Sequence, residues 1–205
     1  MASLDVSVVV PYTGEPWRTL AHQRAIPSAE ALGVPVHVGE GATVAQARNN
    51  GLDQVSTKWV IHLDADDELP RDYVEQMATG TADVRAPSVA WLARGRRATP
   101  PAVPKVWGHT HDYCVAECLA SGNWLVVGAL VRADLAQQVR WQEEPVYEDY
   151  SFWVRCWKAG ATFETIPAAV YRAWSRRGGR NTAMHPRDRH EVHRAIARAN
   201  GLPVP

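Results

Sequence analysis

The run Trp59-Val60-Ile61-His62-Leu63 empties directly into Asp64-Ala65-Asp66-Asp67-Glu68 and stops at Pro70. Too short for a helix, the apolar stretch reads as a buried strand. A strand ending in adjacent carboxylates places hard oxygen ligands at the carboxyl edge of a sheet, where open α/β folds bind their ligands. Three neighbouring Asp side chains repel one another unless a cation or protons intervene. The segment therefore points to a metal-nucleotide site in preference to the alternative, a strand-to-helix turn in which one Asp caps a helix starting near Arg71.

The flanking sequence fits that fold. Val6 to Val10 is a β-branched run closed by Pro11, as expected of a strand buried on both faces. A helix is predicted within Trp17 to Leu32, a strand over Pro35 to Val38, and a helix from Thr43 to Gln54 with Thr43 as its cap. A helix over Asp72 to Met77 and an extended stretch from Asp83 to Trp91 continue the alternation of a parallel sheet covered on both sides. Residues 94 to 113, with Arg94-Gly95-Arg96-Arg97, prolines and no period, read as a loop. Beyond it, Trp124 to Val131 is an apolar run, Glu148 to Lys158 a helix, and Thr162 to Ile166 a last strand before Pro167. A final helix is predicted from Pro186 to Ala199.

With 22 basic and 22 acidic residues the 205-residue chain has zero formal net charge, so nothing in the total favours a polyanionic partner. The distribution is uneven. From Arg172 onward eight Arg face Asp188 and Glu191, a local +6 that leaves −6 for the rest. No apolar run approaches the roughly 20 residues of a membrane span, and Met1 to Asp5 lacks a signal peptide's basic start, so a cytoplasmic protein is expected. The three cysteines form no disulfide framework. Nine tryptophans are many, and a cleft cluster of them would suit stacking on a base or sugar.

Four stretches together resemble the family 2 glycosyltransferases of the GT-A fold, in that family's order, over residues 6 to 175. Val6-Ser7-Val8-Val9-Val10-Pro11-Tyr12 is similar to its opening nucleotide-binding strand, and Ala45-Gln46-Ala47-Arg48-Asn49-Asn50-Gly51 to its Ala-Arg-Asn-x-Gly helix start. Asp64-Ala65-Asp66-Asp67 resembles its DxD element, and Glu148-Asp149-Tyr150 its Glu-Asp pair heading a helix. The resemblance implies a mostly parallel sheet flanked by helices, a Rossmann-like nucleotide-sugar-binding core, as one domain over 1 to 175. Residues 176 to 205 then form a basic extension that can act as a lid.

The resemblance also implies roles. Asp64 and Asp66 would hold Mn²⁺ or Mg²⁺ bridging the diphosphate of a sugar nucleotide, a UDP-sugar by family frequency, and Asp64 would also touch the donor. Asp149, or failing it Glu148, would be the base that deprotonates a hydroxyl acceptor, giving transfer with inversion. Without the other motifs, Glu148-Asp149 would read as acids placed to suit a helix macrodipole. Pro11, Tyr12, Glu15 and Glu40 would contact the nucleotide, and Arg48 would reach phosphate or ribose. Gly128 would line the acceptor side, and Arg176, Arg177 and Arg180 would close over the diphosphate. The acceptor would be a hydroxyl on a protein, a glycan or a lipid intermediate, with DNA less favoured.

The chain departs from the pattern in three places, one being its shortness, with no separate acceptor domain expected. Where many members carry a His after a Tyr-Arg pair, this chain has Trp174 after Tyr171-Arg172, which leaves His185 as a late candidate ligand. An Asp-x-Ser stretch is replaced by Val38-Gly39-Glu40-Gly41. Three other readings stay open: a sugar-nucleotide-binding module without turnover, a metal-dependent phosphoester hydrolase, and a zinc site from His109, His111, Cys114 and Cys118.

Overall fold

The computed structural model describes residues 4–93, 113–174 and 184–203. The basic segment at 94–97, His109, His111 and the side chain of Cys114 lie outside it, as do Gly178-Gly179, Arg176, Arg177 and Arg180.

Among the described residues the core is a six-stranded sheet in the order β2-β1-β3-β5-β4-β6. The strands are β1 (Val6–Tyr12), β2 (Val36–Glu40), β3 (Trp59–His62), β4 (Val84–Leu92), β5 (Leu130–Arg132) and β6 (Phe163–Trp174). Pairing is parallel for β1 with β2, β1 with β3 and β4 with β6, and only β5 runs antiparallel to its neighbours. Every residue of β1 and β3 is buried, which is why both sequences are apolar without alternation. The parallel register, with Val9 opposite His62 and Tyr12 opposite Glu40, brings the ends of β1, β2 and β3 to one edge.

The helices are α1 (Trp17–Leu20) and α2 (Ile26–Glu30) joined by a π-helical turn, then α3 (Val44–Leu52), α4 (Tyr73–Met77), α5 (Tyr113–Ser121), α6 (Ala133–Val139), α7 (Glu148–Lys158) and α8 (Pro186–Ala199). Thr43 caps α3 as expected, its hydroxyl accepting from the Gln46 N–H at 3.2 Å. Two glycines let α3 lie against the sheet. A Cβ on Gly39 would overlap the Ala47 carbonyl, and one on Gly51 would overlap the Val9 side chain. That close approach carries Arg48, on the same helix, into the interior at 1% exposure.

Three expectations needed correction. β6 does not stop before Pro167 but continues to Trp174. The ladder shifts there, with Ile166 opposite Pro87 and Val170 opposite Ser88, so a proline without an N–H is carried in a bulge of an edge strand. The apolar run from Trp124 supplies only β5, since Leu125, Val127 and Ala129 are buried in irregular chain. Helices α5 and α6, neither of them predicted, flank that run. Of the tryptophans described, Trp59, Trp141 and Trp153 are core. Trp141 stacks on Phe152 at 4.1 Å between centroids, with Trp153 edge-on to both.

Gly128 has a different use from the one expected. Its carbonyl accepts from the Tyr73 hydroxyl at 2.8 Å, and an added Cβ would overlap the Tyr171 ring, so the missing side chain makes room for Tyr171. Gly128→Ala is expected to destabilise the protein by about 3 kcal/mol, the upper end for overpacking a filled core, because the obstacle is a fully enclosed ring. A urea-unfolding midpoint checks this, and an unchanged midpoint would refute it.

Candidate functional site

At the carboxyl edge of the sheet the structure gathers Arg48, Asp64, Glu148 and Asp149. The Arg48 guanidinium donates to Asp64 Oδ1 at 2.8 Å and to Glu148 Oε1 at 3.3 Å. It stacks on the Trp141 ring at 4.3 Å. Burial alone would lower its proton affinity, but the summed attraction of Asp64, Glu148 and Asp149 raises it. Arg48 therefore holds Asp64 and Glu148 together from inside the fold. Its helix neighbour Asn49 is structural, exchanging hydrogen bonds of 2.9 Å with the Trp141 carbonyl and N–H.

Glu148 and Asp149 open α7 with no side-chain cap on Tyr147 before them. Asp149 Oδ1 accepts from the Tyr150 N–H at 2.8 Å, and Oδ2 accepts from the Asn123 amide at 2.9 Å. Burial first, and the charge of Glu148 second, push the Asp149 carboxyl up to about 6, against the lowering effect of Asn123 and Arg48. A carboxylate with that proton affinity can take a proton near neutral pH.

The DxD stretch divides its carboxylates between two tasks. Asp64, with about a third of its side chain exposed, faces Arg48. Asp67 turns inward at 8% exposure, where Oδ2 accepts from the Tyr171 hydroxyl at 2.7 Å and Oδ1 from the Trp174 N–H at 2.8 Å. Asp67 thus pins the end of β6 and does not cap a helix; α4 starts after Asp72. Burial, then the charges of Asp64 and Asp66, hold its proton affinity well above the carboxylate range. Asp66 is part-buried and its carbonyl accepts from Arg24 Nη1 at 2.6 Å. Trp174, standing where the resemblance would place a His, stacks on Arg24 at 4.1 Å and donates its indole N–H to Glu68 at 3.2 Å.

No group of three or more His, Cys, Asp or Glu among the described residues is arranged to hold a metal. His185, exposed at the start of α8, accepts from the Arg187 N–H at 3.3 Å and completes no such group. Asp64 and Asp66 each raise the proton affinity of Asp67, after burial, so the stretch carries concentrated negative charge. Two carboxylates suit a hard divalent cation that takes its other ligands from phosphate oxygens and water.

The residues expected around the nucleotide are less drawn together. Pro11 and Tyr12 end β1 and are buried, with Arg18 over the Tyr12 ring at 5.8 Å. Glu15 is exposed and accepts from the Thr19 hydroxyl at 2.7 Å. Glu40, also exposed, accepts through its carbonyl from Asn50 at 2.7 Å. Sequence reasoning missed Asn123, Arg24, Tyr171, Trp141 and His62. His62 is fully buried, and burial, followed by the charge of Arg48, pushes it down to about 3. Neutral, it accepts from the Trp141 indole N–H at 3.1 Å.

Solved structures with this fold include S. aureus TarS. The chain matches TarS 1-349 in complex with UDP-GlcNAc at TM-score 0.64 and 16% identity, covering 94% of this chain and 65% of that one. The complex of TarS 1-349 with UDP gives TM-score 0.63 and 16% identity over 96% of this chain and 65% of that one. A longer TarS chain gives 0.59 at 16% identity over 94% and 39%. The chain thus spans under two thirds of the length of these structures. No curated protein matches it. Residues 59–185, over half the chain and including both carboxylate pairs, match the family model described as Glycosyl transferase family group 2, and the chain belongs to that family.

Proposed function

We propose that this chain transfers a sugar from a UDP-sugar to a hydroxyl acceptor with inversion at the anomeric carbon. The observation that carries the reading is Asp149, a carboxyl titrating at about 6 and placed beside the Arg48–Asp64 pair at the sheet edge. As base it takes the acceptor hydroxyl's proton while that oxygen attacks the anomeric carbon and the bond to the diphosphate breaks. A single such base suits one displacement and hence inversion. Glu148 is tied to Arg48. Asp64 and Asp66 would hold Mn²⁺ or Mg²⁺, which when bound offsets the charge of the leaving diphosphate. The UDP assignment draws on the fold shared with TarS, solved with UDP-GlcNAc.

Among the described residues no helix is long and apolar enough to cross a membrane. A protein, glycan or lipid-intermediate hydroxyl each remains compatible with the proposed chemistry.

The test is ligand-dependent stabilisation followed by turnover. UDP with Mn²⁺, at about a hundred times its dissociation constant, is expected to raise Tm by roughly 5–10 °C, with GDP and dTDP well below that. Equal shifts for all three nucleotides would sink the UDP assignment. UDP binding with no release of UDP from UDP-sugars on long incubation would replace the enzyme with a binding module.

A further inference from the structure

We propose that Asn123 is a positioning residue that aims the Asp149 carboxylate at the acceptor hydroxyl. The inference rests on Asp149 being the base. Asn123 follows the end of α5, and its amide Nδ2 donates to Asp149 Oδ2 at 2.9 Å. Oδ1 is fixed from the other side by the Tyr150 N–H. Tyr150 is anchored in turn to α5, its hydroxyl donating to the Leu119 carbonyl at 2.7 Å. The base is thereby clamped between α5 and α7, with one donor on each oxygen and lone pairs to spare for an incoming hydroxyl.

Chemistry fixes the orientation of the amide. Flipped, Asn123 would set its carbonyl oxygen against a carboxylate oxygen, two acceptors facing each other. In the observed orientation Asn123 Oδ1 is buried and takes no hydrogen bond among the described residues. An unmet buried acceptor costs stability, so the side chain is better explained by what its amide does for Asp149 than by its own contribution to the fold. The charged groups acting on Asp149 are Glu148, which raises its proton affinity, and Arg48, which lowers it. Asn123 supports the anion without a full positive charge, and the carboxylate stays basic enough to take a proton.

The measurement is kcat/KM for transfer against pH in wild type, Asn123→Ala and Asn123→Asp, with each fold checked by thermal melting. In Asn123→Ala the acid limb should move up by about one pH unit, the scale of one lost hydrogen bond to a charged group. The loss at pH 6 should then exceed that at pH 8.5 by about fivefold. Asn123→Asp, of the same shape but with an anion for a donor, should move the limb further up. It also serves should the alanine variant fail to fold. A limb unmoved in a folded variant, with Asp149→Asn inactive, overturns the role of Asn123. An active Asp149→Asn variant would instead overturn the base assignment itself.

Discussion

Asp149→Asn is expected to lower transfer by at least ~10²-fold while leaving UDP affinity nearly unchanged, because the amide keeps the shape of the carboxylate but cannot accept the acceptor's proton. Turnover and Tm shifts with UDP, measured on one preparation, separate the two effects. Wild-type activity in the variant would move the base elsewhere. In wild type the base must be ionised, so kcat/KM should fall about tenfold per pH unit below about pH 6. Stability should change in the opposite sense. The folded Asp149 carboxyl titrates above its ordinary value, so its favourable contribution is present at low pH and is lost as pH rises through about 6. Asn, which never ionises, should leave the variant at least as stable as wild type at pH 8. A lower Tm there would contradict the repulsion assigned to Glu148 and to burial.

The division between carboxylates gathered at the sheet edge and Asp67, which turns inward, marks how far the sequence could be read. The apolar runs of β1 and β3, the capped helix α3 and the helix heads at Glu148 and Pro186 are local patterns, and their elements lie close to where periodicity puts them. Motif resemblance likewise singled out Asp64 and Asp149. What it lacked was direction. Nothing in Asp64-Ala65-Asp66-Asp67 says that the last Asp turns inward to Tyr171 and Trp174, because those partners lie more than 100 residues away and reach it only through a β6 bulged at Pro167. Asn123 and Trp141 escaped for the same reason. Each sits in irregular chain without periodicity, and its role comes from a contact made by tertiary packing.

Arg48 shows the cost of such contacts most directly. Its side chain is at 2% exposure, and its two nearest carboxylates, Asp64 and Glu148, are at 36% and 18%. In Arg48→Met the methionine fills most of the stem's space but leaves those carboxylates, with Asp149 close by, without their shared cation. Breaking a buried pair from one side costs about 3–5 kcal/mol, and the partial exposure of Asp64 argues for the lower end. A loss of about 3 kcal/mol is a large fraction of the 5–15 kcal/mol that holds a domain together and corresponds to a Tm lower by roughly 6–12 °C. Neutralising the orphaned partners should then restore much of the loss, because it is their unpaired charge and not missing volume that destabilises the variant. Arg48→Met combined with Asp64→Asn and Glu148→Gln is therefore expected to melt above the single variant. If the triple variant melts at or below the single one, the cost lies in the stack on Trp141 and the packing of α3, and Arg48 is a core residue before it is an electrostatic one.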